Sequence, residues 1–241
     1  MSFLTGDEEP RCILCNEPST DDDPLLEVRG WIRAMLGQDG MAHHQCMART
    51  ANDAAFSKGD VPWDISRPHP ALVNLVETKR IVPGRVFEPG PGLGHDAVYL
   101  ASNGFRVTAL DISKRAVSML RKRIAKLGLD IDLIVGDVLR DGPTEGEFDY
   151  IFERSVLQTL PPTQRAHYIL RLAENLKPKG KYIGIIRGPR EPIPESQPYA
   201  FTRDMIEQLL STHFGNIEIT RTPSGSNNRR SEYFLVIACR R

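Results

Sequence analysis

From about residue 71 onward, apolar and polar positions switch regularly between a two-residue and a 3.6-residue period, which predicts alternating strands and helices. Strand-like runs fall at 84–88, Phe105–Leu110, Ile131–Val135, Phe148–Phe152 and Lys181–Ile186. Helical spacing covers 71–80, about 94–104 with Ala97, Leu100 and Ala101 on one side, about 163–176, and 202–211. Ser113 is placed to cap a further helix carrying Val117, Leu120, Ile124 and Leu127, and Gly128 to end it. The run Lys177-Pro178-Lys179-Gly180 reads as a helix stop before the fifth strand. This alternation predicts an α/β domain built on a parallel sheet. Two final strands, near 216–222 and 232–239, are joined through Ser224–Asn228 with no helix between, so they must run antiparallel.

The first 50 residues lack this periodicity, and 51–70 read as a linker and lead-in segment to a domain spanning 71–241. No internal repeat or low-complexity tract is evident, and no apolar run is long enough to cross a bilayer.

Candidate chemistry concentrates after the first strand. Glu88-Pro89-Gly90-Pro91-Gly92-Leu93-Gly94 reads as strand, glycine loop, then helix. Glycines at alternate positions allow a tight turn and close approach to a ligand, and the following helix presents unpaired N–H groups. A second strand ends in Asp111, a natural acceptor for ribose hydroxyls, so the pattern predicts a nucleoside-type cofactor. The spacing is neither the G-x-G-x-x-G of nicotinamide sites nor a phosphate loop ending in Gly-Lys-Ser/Thr. Glu88, directly before the glycines, would repel a pyrophosphate and favour a cationic ligand.

Glu88-x-Gly90-x-Gly92-x-Gly94, then Asp111, then Gly136-Asp137-Val138 after the third strand, resembles the class I methyltransferases that bind S-adenosylmethionine. The resemblance implies a Rossmann-like seven-stranded mixed sheet flanked by helices. It also implies that Glu88 serves the methionine end of the cofactor, Asp111 with Ile112 the ribose, and Asp137 with Val138 the adenine. Pro62-Trp63-Asp64-x-x-Arg67-x-x-Pro70 and Phe152-Glu153-Arg154-Ser155-Val156-Leu157, running on to Leu160-Pro161-Pro162, narrow the match. These segments, with Arg165 and Tyr168, resemble the thiopurine S-methyltransferase family, which includes thiol and halide methyltransferases. Glu153 stands where that family usually has Asp, and Ser66 where it commonly has Gly. The family pattern implies that Glu153 contributes to the cofactor site and that Trp63 lies over it.

An in-line methyl transfer to a thiolate, thiopurine anion or halide needs alignment and exclusion of water more than a general base. Arg154, at a strand's carboxyl end, is the candidate to hold such an acceptor, with Trp63 favouring the sulfonium through its ring face. Plainer roles stay open beside these: a core or hinge aromatic for Trp63, and a structural carboxylate's partner for Arg154. His69 and His95 read as helix-end or surface residues.

Three of the four cysteines lie within the first 46 residues. Cys12-x-x-Cys15 and His43-His44-x-Cys46 supply two turn-borne pairs of soft donors, the pattern of a tetrahedral zinc site. His43 fits the spacing, with His44 an alternative, and a helix near Leu25–Leu36 would separate the pairs. Residues 1–50 are therefore expected to form a zinc-binding module whose metal is structural. The family has no counterpart to it.

Composition then removes some function classes. Hydrophobic residues make up 40% of 241 and charged residues 26%, enough for a sizeable core. Thirty-one basic residues balance 31 acidic ones, which disfavours a nucleic-acid partner without removing it, since basic residues such as Arg121, Lys122, Arg123, Arg229 and Arg230 are scattered. The acidic N-terminus lacks the basic and apolar regions of a signal peptide, so a cytoplasmic protein is expected. The leading expectation is S-adenosylmethionine-dependent methylation of a small soft acceptor, with no membrane involvement and the oligomeric state open. An RNA or protein methyltransferase recruiting through the zinc module, and a non-catalytic cofactor-binding module, are the alternatives.

Overall fold

The computed structural model of the protein describes residues 11–20, 25–27, 40–59, 61, 63–143, 146–189, 199–223 and 232–241. Near the N-terminus come β1 (Leu25–Glu27), β2 (Met41–His43) and α1 (His44–Lys58). The α/β domain follows as α2 (Pro70–Glu77), β3 (Arg85–Pro89), α3 (His95–Ser102), β4 (Arg106–Asp111), α4 (Lys114–Leu127), β5 (Ile131–Val135) and β6 (Phe148–Arg154). It continues with α5 (Pro162–Asn175), β7 (Leu176–Arg187), α6 (Arg203–Leu210), β8 (Phe214–Thr222) and β9 (Tyr233–Arg240).

The large sheet has seven strands in the order β5-β4-β3-β6-β7-β9-β8. Six run in one direction, and β9 alone inserts antiparallel between β7 and β8 in this sheet. Both faces are covered, which explains why strands such as Val86-Phe87 and Ile151-Phe152 are apolar without alternation. Val86 and Phe152 pack with Leu72, Leu100 and Leu120 on one face, whereas Phe87 and Ile151 pack with Tyr168, Leu172 and Ile206 on the other. The order of strands reverses beside β3, where parallel α/β sheets open a crevice at their strands' carboxyl ends.

Local signals explain most helix limits. The Ser113 hydroxyl accepts the Ala116 N–H, and Gly128 ends α4 in the left-handed region at φ 64°. Leu127, expected on the apolar stripe, is 54% exposed because the last turn of α4 runs past the core. His69 caps α2, its Nδ1 accepting the Ala71 N–H, and His95 begins α3. Both are the helix-end residues the sequence suggests.

Three expectations change. First, α5 stops at Asn175 as expected, but β7 begins at once with Leu176, so Lys177–Gly180 lies within the strand rather than before it. Leu176 pairs with Phe148, the register shifts before Tyr150, and Lys179 takes φ 65°; this bulge accommodates a proline and a glycine that a regular ladder would not. Second, Leu25–Glu27 is a strand antiparallel to Met41–His43, not the start of a helix; 28–36 lies outside the described residues, as do Pro62, the 224–228 connection, Arg229 and Arg230. Third, α1 runs unbroken through the boundary drawn at residue 50. Its period is obscured in the sequence because polar residues occur on two of its faces.

Candidate active site

One cavity lies over the carboxyl ends of β3, β4, β5 and β6. Its floor includes Gly90, Gly92, Asp111, Ile112, Gly136, Asp137 and Val138, and its other walls include Trp63, Arg154, Val156 and Gln158. Eight sequence-predicted residues therefore line a single space: Trp63, Gly90, Gly92, Asp111, Ile112, Asp137, Val138 and Arg154.

The glycine loop is locked in place by its neighbours. Gly90 donates to Leu110 O at 2.8 Å and takes φ 65°; a Cβ there would overlap Val156 Cγ2. Gly92 donates to Asp111 Oδ2 at 3.0 Å, and Ser113 N–H donates to Oδ1 at 2.9 Å, so Asp111 braces the loop while facing the cavity. Burial drives Asp111 up to about 6, against the pull of those two donors. Gly136 N–H bonds Asp111 O, and Asp137 Oδ1 accepts the Leu139 N–H, which aligns the ends of β4 and β5.

Three predicted cofactor residues sit elsewhere. Gly94 caps α3 at φ 71°, where a Cβ would overlap Leu120, so helix packing requires a glycine there. Glu153 is fully buried beneath the wall. Its Oε1 accepts Val156 N–H at 2.6 Å and Leu157 N–H at 3.1 Å, while Oε2 accepts the Tyr182 hydroxyl at 2.8 Å. Those bonds shape the turn after β6, in which Ser155 adopts φ 73°, and so aim Arg154 and Val156 at the cavity. Glu88 lies behind the loop, buried, with no hydrogen-bond partner for Oε2. Burial raises its carboxyl well above the ordinary range, and Asp96 adds to this while Arg154 opposes it.

Arg154 both lines the cavity and pairs with a structural carboxylate. Its Nε donates to Asp96 Oδ2 at 2.7 Å and Nη1 to Trp63 O at 3.2 Å; Asp96 Oδ1 accepts the His69 N–H. Trp63 is thereby fixed at the cavity mouth, edge-on to Phe56 with ring centroids 5.9 Å apart.

The roof of the cavity escaped the sequence reading. His44, Ala48, Asn52 and Phe56 follow one another every fourth residue along α1 and face inward together. His44 Nε2 donates to Thr159 O at 2.9 Å, and Asp53 accepts from the Ser113 hydroxyl. The four-residue spacing is in the sequence, but its mixed polarity hid it from an apolar pattern.

At the start of α1, one ligand atom from each of Cys12, Cys15, His43 and Cys46 lies within 4.8 Å of all the others. His43 Nδ1 faces Cys15 Sγ at 3.5 Å, and Nε2 donates to Pro18 O at 3.0 Å, leaving the Nδ1 lone pair toward the sulfurs. His43 lies in the cluster, whereas His44 turns away to Thr159 O.

The thiopurine S-methyltransferase family model matches residues 47–233. The chain belongs to the thiopurine S-methyltransferase family. It is 32% identical over 148 residues to a probable thiol methyltransferase 2 of Arabidopsis thaliana, covering 59% of this chain and 65% of that protein. It is 34% identical over 145 residues to Arabidopsis thaliana thiocyanate methyltransferase 1, covering 59% and 63%. The matched stretch thus spans less than two thirds of these relatives' length. Among solved structures, a Burkholderia thailandensis 1,6-didemethyltoxoflavin-N1-methyltransferase with bound S-adenosylhomocysteine superposes at TM-score 0.70 and 20% identity, covering 97% of this chain and 99% of that one. That likeness shows the class I methyltransferase fold. Among the described residues, no helix is long and apolar enough to cross a membrane.

Proposed function

We propose that the protein is an S-adenosylmethionine-dependent methyltransferase whose acceptor is a small soft nucleophile, a thiol, thiopurine or related anion. The observation that carries this reading is one cavity holding Gly90, Gly92, Asp111 and Asp137 on one side and Trp63 and Arg154 on the other, in a chain of this family. When bound, S-adenosylmethionine supplies a methyl group activated by its sulfonium.

The chain's own residues fit that cofactor. Each Asp111 oxygen accepts one backbone N–H and retains a lone pair for a ribose hydroxyl. The buried, unpartnered Glu88 Oε2 suits the ammonium of the methionine end, directly or through water. Trp63 supplies a ring at the mouth, and Arg154, neutralised in part by Asp96, orients an anionic acceptor while the α1 roof excludes water. No general base is required, because the acceptor arrives as an anion. Glu153 acts as a positioning residue.

Cys12, Cys15, His43 and Cys46 suit zinc by donor set and clustering, and four protein ligands make such a site structural. Three thiols committed to a metal suit a reducing, cytoplasmic setting.

The direct test is S-adenosylhomocysteine release by zinc-replete protein with aliphatic thiols, thiophenols, thiopurines, iodide and total RNA. Turnover with a soft small molecule is expected, and turnover with RNA alone would overturn the proposal. Arg154→Ala is expected to raise the acceptor KM more than the cofactor Kd. Equal losses in both would remove its assigned role. Because the change leaves buried Asp96 without its cation, it should also cost about 2–3 kcal/mol of stability in urea titration.

A further inference from the structure

The metal cluster and the cavity roof share one helix. His43 is the residue preceding α1, Cys46 lies in its first turn, and His44 between them reaches Thr159 O on the far side of the cavity. We infer that metal occupancy of the Cys12–Cys15–His43–Cys46 site controls closure of the methyl-transfer cavity by clamping the N-terminal half of α1. This rests on the zinc reading proposed above.

Three observations carry it. The N-terminus of α1 has no side-chain capping bond from His43 and no acidic residue in its first turn. A dication bound by three thiolates and a neutral imidazole leaves one net negative charge there, which complements the helix dipole. Among the described residues the cluster's own apolar packing is small: Cys12, Ala42, Met47 and Ala51 are buried, with Leu14, Leu26 and Cys46 against them. So small a core seldom holds a segment in place without a metal or disulfide.

The opposite end of α1 is attached independently. Asp53 accepts from the Ser113 hydroxyl and, at 3.4 Å, from the Arg115 N–H, while Phe56 is buried against Trp63. Metal loss should therefore release the first two turns, carrying His44 and Ala48, and leave the seven-stranded domain folded. The roof would open from its metal end, admitting water and weakening retention of cofactor and acceptor. The device makes cavity closure conditional on reduced, metal-bound cysteines.

The experiment uses the full chain, zinc-loaded and then stripped with a chelator, with metal content, hydrogen exchange and S-adenosylhomocysteine affinity measured on each sample. Zinc removal is expected to speed exchange in 44–52 by about tenfold or more and to weaken S-adenosylhomocysteine about tenfold, with strands β3, β6 and β7 unchanged. Cys46→Ser should behave as the stripped protein, whereas Cys46→His, which preserves four ligands, should restore zinc, protection and affinity. Zinc bound at one per chain but without influence on exchange or affinity would overturn this inference and leave the metal site standing. A folded chain that binds no zinc would overturn both. Loss of protection throughout the sheet would show the metal to be a folding element, which also overturns the roof-specific role.

Discussion

Each Asp111 oxygen already serves a backbone donor, and burial raises its carboxyl to about 6, so the group proposed to meet the ribose hydroxyls also braces the loop. Asp111→Ala is expected to weaken S-adenosylmethionine binding by about 1–3 kcal/mol in calorimetry; unchanged affinity would contradict the assignment. Because an ionised acceptor binds better, wild-type affinity should fall about tenfold between pH 7 and pH 5, a component that Asp111→Asn removes. Glu88 gives a different signature. Burial and Asp96 raise its carboxyl well above the ordinary carboxylate range, and an arriving ammonium favours its ionisation. Cofactor binding should therefore be linked to proton release, read as a dependence of binding heat on the buffer's ionisation enthalpy. Glu88→Gln should abolish that release, and identical behaviour in both proteins would reassign the carboxylate.

At the scale of elements, the motif glycines divide by what each would touch. Nothing lies closer than 3.7 Å to a Cβ on Gly92, where Trp63 Nε1 is the nearest atom, whereas a Cβ on Gly94 would overlap Leu120 in α4. Gly92→Ala should cost about 1–2 kcal/mol through its positive φ and diminish cofactor binding. Gly94→Ala adds a packing clash and should lose about 2–4 kcal/mol of stability in urea, from both causes together. Comparable stability loss in both variants would mean that α3 shifts to accommodate the methyl. The turn after β6 has a similar logic: Glu153, bonded to Val156, Leu157 and Tyr182, sets the course of the backbone that delivers Arg154. An acidic residue in a family motif thus acts through the wall it supports.

Across the whole molecule, buried titratable groups oppose one another. His69 is pushed down to about 4, chiefly by burial, with Nδ1 accepting from Ala71 N–H and Nε2 donating to Pro223 O. An unfolded histidine takes up its proton near 6.5, so His69 costs stability as pH falls from about 6.5 toward 4. Asp111, raised to about 6, works the other way, adding stability as pH falls from about 6 toward 4. His69→Asn, which retains a capping acceptor, should gain about 1–2 kcal/mol relative to wild type on going from pH 7 to pH 5 in urea titrations. A pH-independent difference would show that His69 does not titrate in that window. The sequence by itself determined the strands of the large sheet, its antiparallel closing pair, the glycine loop and the acids at strand ends, because these follow from local periodicity and short spacings. The clustering of Cys12, Cys15, His43 and Cys46 was legible for the same reason. Only the tertiary structure decided that Arg154 pairs with Asp96 and that Glu153 turns inward. It alone put α1, whose inward face is too mixed in polarity to announce itself, over the cavity. Those are contacts between residues distant in sequence, and they are set by how the sheet and its covering helices close around one space.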